Sequence, residues 1–166
     1  MQKVQSIKSN SVLQFILCVG SVLILGFLSG ILSGASAGYT SFVRPPLTPP
    51  DIVFAIVWPV LYFMIGLSIF FTINGYTNCK VDKKTFGWFI TLFSIQLILN
   101  LFWPFVFFAF SMPIISAIII ALLDGVVLAL IICSWSKLRT SSLLLFPYFA
   151  WLLFATYLNL FIAIMN

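Results

Sequence analysis

The sequence predicts an all-α integral membrane protein, a five-transmembrane-helix bundle forming one domain over residues 1–166. Three observations predict it. Five apolar stretches, at 12–34, 52–74, 86–110, 113–135 and 141–164, are each long enough to cross a hydrocarbon core, which takes about 20 helical residues. None alternates with the period of two that a barrel strand needs, and only helices or closed barrels satisfy their backbone in lipid. Hydrophobic residues make up 63% of the chain and charged residues 7%, whereas a soluble globular chain is roughly a quarter charged. No stretch remains for a soluble domain, so function is to be sought between the helices or in the short joins.

The net charge of +5 is not placed like a nucleic-acid footprint. Lys3, Lys8, Lys80, Lys83, Lys84, Lys137 and Arg139 fall at the N-terminus and in the second and fourth joins, on one side of a five-span bundle, and Arg44 falls on the other. Cytoplasmic segments carry the excess of Lys and Arg. The expected topology has the N-terminus cytoplasmic, with the first and third joins and the C-terminus outside, in a multi-pass cell-membrane protein. No nucleic-acid partner is expected; the bilayer is. Cys18, Cys79 and Cys133 are scattered, which supports neither a disulfide framework nor a metal site. His and Glu are absent, so the usual metal ligand and the usual general base are missing.

The first stretch follows Lys3 and Lys8 and leads to Ala35-Ser36-Ala37, as a signal peptide would. Its apolar run is about 21 residues, beyond the 7–15 of a signal h-region, so a retained helix is expected. Gly26, Gly30, Gly34 and Gly38 recur every fourth residue, with Ser29 and Ser33 beside them. Such a small-residue stripe lets a helix approach closely, within the bundle or across a dimer. The first join ends in Arg44-Pro45-Pro46-Leu47-Thr48-Pro49-Pro50-Asp51. Its prolines fix φ and push their predecessors to extended geometry, giving a stiff strap expected to act as a lid. Pro59, Pro104 and Pro147 lie inside the second, third and fifth spans and free the carbonyls of Ala55, Asn100 and Leu143. Kinks of this kind splay helices and leave cavities. Ser111-Met112-Pro113 separates spans three and four, with Pro113 suited to a first helical turn. The second and fourth joins are short and basic, and no internal repeat is evident, which counts against an inverted-repeat transporter.

Side chains of three spans converge on one depth. At 1.5 Å per residue, Trp58 lies about 12 Å below the outer face. Trp103 lies at a similar depth, Asn100 about a turn deeper, and Ala155 and Trp151 roughly 14–20 Å down. Trp58 and Tyr62 share a face, as do Asn100, Trp103 and Phe107, and Tyr148, Trp151, Ala155 and Asn159. A buried aromatic box with a few amides and phenols suits a flat, largely apolar ligand. The same stripes also serve as plain packing, and Asn100 and Asn159 as bonds between helices. Trp88 and Trp135, beside Lys84 and Lys137, read as interface anchors. Asp124 is the one ionisable acid deep in a span. It could serve a proton, orient a ligand, or hydrogen-bond a neighbouring helix.

Three motifs, in order, resemble the TspO/MBR family of translocator proteins, tryptophan-rich sensory proteins and peripheral-type benzodiazepine receptors. They are Arg44-Pro45-Pro46-x-x-Pro49-Pro50 with Val57-Trp58 and Leu61-Tyr62; Leu99-Asn100-x-x-Trp103; and Pro147-Tyr148-x-x-Trp151-x-x-Phe154-Ala155-x-x-Leu158-Asn159. The likeness covers about 35–166. It implies a five-helix bundle, commonly a homodimer. It also implies a pocket under the first loop for tetrapyrroles such as porphyrin or haem, sterols and benzodiazepine-like molecules, with no cofactor required. By position, Tyr39, Trp58, Tyr62, Asn100, Trp103, Trp151 and Ala155 would form the pocket. Leu47 stands where the family often has Trp, and Pro59 and Pro104 replace small or polar residues. No Lys or Arg follows Tyr157, so the sterol motif of animal members is absent. Without His, a porphyrin would be held by stacking, with hydrogen bonds from Asn100 and Tyr62. The leading expectation is a receptor or sensor for tetrapyrroles; the others are a transporter or flux regulator, and an enzyme of light-dependent porphyrin breakdown. No catalytic residues of ordinary acid–base chemistry are evident.

Overall fold

The structure, a computed structural model, describes residues 11–35 and 42–166. Its helices are α1 (Ser11–Leu32), α2 (Asp51–Thr77), α3 (Lys83–Pro104), α4 (Pro113–Ser134) and α5 (Arg139–Met165). All five are long and apolar enough to cross a membrane. Their bounds fall within about a turn of the stretches expected from hydrophobicity, because in lipid the length of the apolar run dictates the length of the helix.

Local chemistry sets the ends. Gly34 adopts φ 75° just past α1 and donates to the Ile31 carbonyl at 3.1 Å, a left-handed stop that glycine takes without strain. Asp82 caps α3: its carboxylate accepts from the Thr85 amide at 3.1 Å and the Thr85 hydroxyl at 2.8 Å. Pro113 opens α4, where its missing N–H costs nothing. Pro104 has no amide for the Asn100 carbonyl, and the chain continues as a π-helical segment, Phe105–Ala109. The Ser29 hydroxyl donates to the nearby Leu101 carbonyl at 2.7 Å, so α1 satisfies backbone that the break leaves open.

In space α1 packs on α2, α2 on α5, α5 on α4 and α4 on α3, while α3 returns to touch α1 and α2. Two glycines set the α1–α2 contact. A Cβ on Gly66 would lie 2.7 Å from the Val19 Cα, and one on Gly26 would lie 2.4 Å from the Tyr62 ring. The small-residue stripe is thus used inside the chain at Gly26, while a Cβ on Gly30 would meet nothing within 4 Å. Gly38 lies outside the described residues.

Hydroxyls hold the end that bears Lys80, Lys83, Lys84, Lys137 and Arg139, the basic end. Ser68 donates to the Ser141 carbonyl at 3.0 Å, Thr72 to the Ser141 hydroxyl at 2.9 Å, and Ser134 and Ser142 pair at 2.7 Å. These contacts tie α2, α5 and α4 together where apolar packing alone has no hydrophobic drive in lipid. Lys137 pairs with the capping Asp82 in the same region. Trp88 and Trp135 lie there too, both exposed, with the Arg139 guanidinium 5.0 Å from the Trp135 ring centre.

Candidate functional site

At the opposite end, beneath the strap, lies a cavity of about 880 Å³ walled by α1, α2, α5 and the α3–π junction. Pro104, where the π-helical segment begins, lies on its wall, and on α1 Gly30 faces space in which a Cβ would meet nothing within 4 Å. Its deep wall is aromatic. Trp58 stacks on Tyr62 at 5.5 Å and 29°, Trp103 on Phe107 at 5.3 Å and 23°, and Trp151 meets Phe54 edge-on at 5.7 Å. Ala155 joins Trp151 on the α5 side of the lining. The α1–α2 wall is looser. Phe27 and Ile52 line the cavity yet are 68% and 63% exposed, so other helices do not cover them.

The sequence-derived residues divide into four groups. Trp58, Tyr62, Trp103, Trp151 and Ala155 share the cavity wall. Asn100 does not line it; it sits behind Tyr62, 2% exposed. Tyr39 lies outside the described residues. Asp124 stands away on the α4–α5 contact, where the Thr156 hydroxyl donates to its Oδ2 at 2.7 Å and its Oδ1 is buried without a hydrogen-bond partner.

Behind the wall runs a chain of hydrogen bonds across three helices. The Tyr62 hydroxyl donates to Asn100 Oδ1 at 2.9 Å, Asn100 Nδ2 to the Tyr148 hydroxyl at 2.6 Å, and that hydroxyl to Gln96 Oε1 at 3.2 Å. The Tyr62 hydroxyl proton and one of the two Asn100 Nδ2 protons thus have acceptors within the protein. A guest would compete with the chain for either of these two protons. The indole N–H groups of Trp103 and Trp151 are buried without a hydrogen-bond partner.

Gln96 escaped the sequence reading. A signal was available: it is an amide in the middle of an apolar span, four residues before Asn100 and so on the same face. The α1 wall also escaped it, because Gly26 and Gly30 read as a packing stripe.

The strap is tied to α5. Val43 donates from its amide to Asn166 Oδ1 at 2.9 Å, and the Tyr157 hydroxyl donates to the Pro46 carbonyl at 3.0 Å. Phe42 lies on Phe107 at 5.3 Å. Among the described residues, the strap itself (42–50) does not line the cavity, whereas Ala35 and Asp51 at the two ends of the join do. Leu47 stands at φ 69° and 80% exposed on the outside of the turn.

The sequence pattern of the TspO/MBR family matches residues 18–165. The chain belongs to the TspO/MBR family. It is 34% identical over 161 residues to the tryptophan-rich protein TspO of Chlorobaculum tepidum, covering 95% of this chain and 99% of that one. To the tryptophan-rich protein TspO of Archaeoglobus fulgidus it is 32% identical over 159 residues, covering 94% and 99%. The translocator protein of Bos taurus is 32% identical over 125 residues, covering 73% of this chain and 70% of that one. Five spanning helices and TspO/MBR membership make it a multi-pass membrane protein with a receptor or transporter role. The TspO/MBR match takes in every helix that walls the cavity.

Proposed function

We propose that this protein is a membrane receptor for tetrapyrroles, porphyrin or haem, and for similar flat lipophilic molecules such as benzodiazepine-like compounds. The guest would lie in the cavity under the strap, with the first join and C-terminus outside the cell membrane and the N-terminus cytoplasmic. The observation that carries this reading is the cavity itself: about 880 Å³, within the range of small-molecule sites of roughly 300–1,000 Å³, with three tryptophans from three elements on one wall. Flat π-faces match a flat π-guest with an apolar body. With no His in the chain, iron would not find imidazole, so stacking would hold haem and iron-free porphyrin alike.

Receptor signalling would follow if the guest changes the strap's hold on α5 and thereby biases a partner or a homodimer. The test is quenching of tryptophan fluorescence by protoporphyrin in detergent, with Trp58→Phe and Trp151→Phe beside the unmodified protein. The expected result is saturable quenching weakened in both variants. Equal affinity in all three proteins would move the binding site elsewhere.

A second reading, a transporter or flux regulator of tetrapyrroles, draws support from the loosely covered α1–α2 wall, which would let a lipophilic guest exchange with the bilayer. Counterflow of porphyrin in proteoliposomes separates the two readings, since a receptor binds without exchange across the membrane. Light-dependent porphyrin breakdown would show as loss of porphyrin absorbance under illumination, abolished by Trp58→Phe or Trp151→Phe.

A further inference from the structure

Asp51 is the one acidic residue among those lining the cavity, at the start of α2. A lone carboxylate there would repel any acidic guest. It is not alone: the Arg44 guanidinium lies 4.0 Å from Asp51 Oδ2, with the two side chains 47% and 61% exposed. That separation is the outer limit of an ion pair, so it leaves most of the five guanidinium N–H donors uncommitted. The other basic residues described, Lys80, Lys83, Lys84, Lys137 and Arg139, belong to the basic end. Arg44 is therefore the described cation of the strap end.

Its backbone is held in place. The Val43 amide is bonded to Asn166, the Pro46 carbonyl accepts from Tyr157, and the Thr48 amide closes a turn onto the Pro45 carbonyl at 3.2 Å. A cation on a tethered, proline-stiffened segment loses less freedom when it takes a ligand.

We propose that Arg44 anchors the carboxylate edge of the guest and selects flat lipophilic acids over their neutral counterparts. The apolar ring system lies among the tryptophans and the acid groups point out to the guanidinium fork, whose geometry matches a carboxylate. This rests on the porphyrin reading above.

The test compares protoporphyrin with its dimethyl ester, which keeps the ring and removes both charges, by tryptophan quenching on the intact protein, Arg44→Gln and Arg44→Lys. The unmodified protein is expected to prefer the diacid over the diester more strongly than Arg44→Gln does, by roughly fivefold, the upper end for a half-exposed ion pair. Arg44→Lys should keep part of the preference, and added salt should weaken diacid binding to the intact protein and to Arg44→Lys more than to Arg44→Gln. Unchanged diester affinity in the variants reports an intact cavity and removes misfolding as the cause. An equal ratio in the intact protein and Arg44→Gln overturns the assignment while leaving the porphyrin reading standing. Binding of neither compound to the intact protein overturns the porphyrin reading and the assignment together.

Discussion

Replacing Asn100 by Leu cuts the hydrogen-bond chain at its centre with little change of volume. Asn100 is 2% exposed, accepts from Tyr62 at 2.9 Å and donates to Tyr148 at 2.6 Å. Leucine leaves the Tyr62 hydroxyl without its acceptor, while Tyr148 still has Gln96. Bonds between membrane helices average about 0.6 kcal/mol and reach about 1.7, and an orphaned buried hydroxyl costs about 1–3 kcal/mol. The expected loss is about 2–3 kcal/mol, measured by unfolding in mixed micelles of increasing denaturing detergent. Tyr62→Phe alone should cost about 1 kcal/mol, since it leaves one amide oxygen unpaired. In the Asn100→Leu background the same change removes the orphan and should recover about 1 kcal/mol or more. The coupling of about 2 kcal/mol or more then belongs to the pair. Asn100→Leu as stable as the unmodified protein, or a coupling below about 0.3 kcal/mol, the ordinary error of additivity, would refute the reasoning. The porphyrin assay gives a second readout: a Tyr62 ring released from Asn100 should reorient against Trp58 and weaken quenching.

Further outcomes follow from single contacts. Gly26→Ala places a methyl group 2.4 Å from the Tyr62 ring and should cost about 1–3 kcal/mol through overpacking; Gly30→Ala, with nothing within 4 Å, should leave the thermal midpoint unchanged. Ser29→Ala removes the partner of the Leu101 carbonyl beside the π-helical segment and should lower stability by about 1 kcal/mol, read by the same micelle titration. Lys137 and Thr85 hold the Asp82 carboxyl well below the usual carboxylate range. A depressed folded-state pKa gives stability that is complete above the unfolded value near ~4 and is lost as pH falls below it toward the folded value. Asp82→Asn should therefore flatten the acid limb of a stability-versus-pH curve and leave its shape near neutrality alone.

Much of the site was legible because helical spacing alone fixes which residues share a face. Trp58 with Tyr62, and Trp151 with Ala155, needed no knowledge of neighbours to be placed together. Asn100 illustrates the limit. Its spacing from Trp103 is correct for one face, yet a face is wide enough to hold both a cavity residue and one directed at the next helix. Asn159 was readable as a bond between helices, and it donates to Ser116 at 2.9 Å. Asp124 left several roles open in sequence; the neighbour that donates to it, Thr156, lies on α5, 32 residues away. The strap's stiffness followed from its prolines, but where it lies did not, because its attachments are to Tyr157 on α5 and Asn166 just past its end.

By itself the sequence determined the number, length and limits of the helices, since in hydrocarbon each backbone must satisfy its own polar groups and the apolar run measures the bilayer. The tertiary structure alone decided the ring order of the helices and their rotations. Those place α1 glycines on the cavity wall, direct Asn100 toward Tyr62 and Tyr148, and bring Arg44 to Asp51. The physical reason is that lipid is as apolar as the helices' own side chains, so hydrophobicity does not rank one neighbour above another. Close glycine contacts and a handful of interhelical hydrogen bonds make that choice, and they exist only once the helices meet.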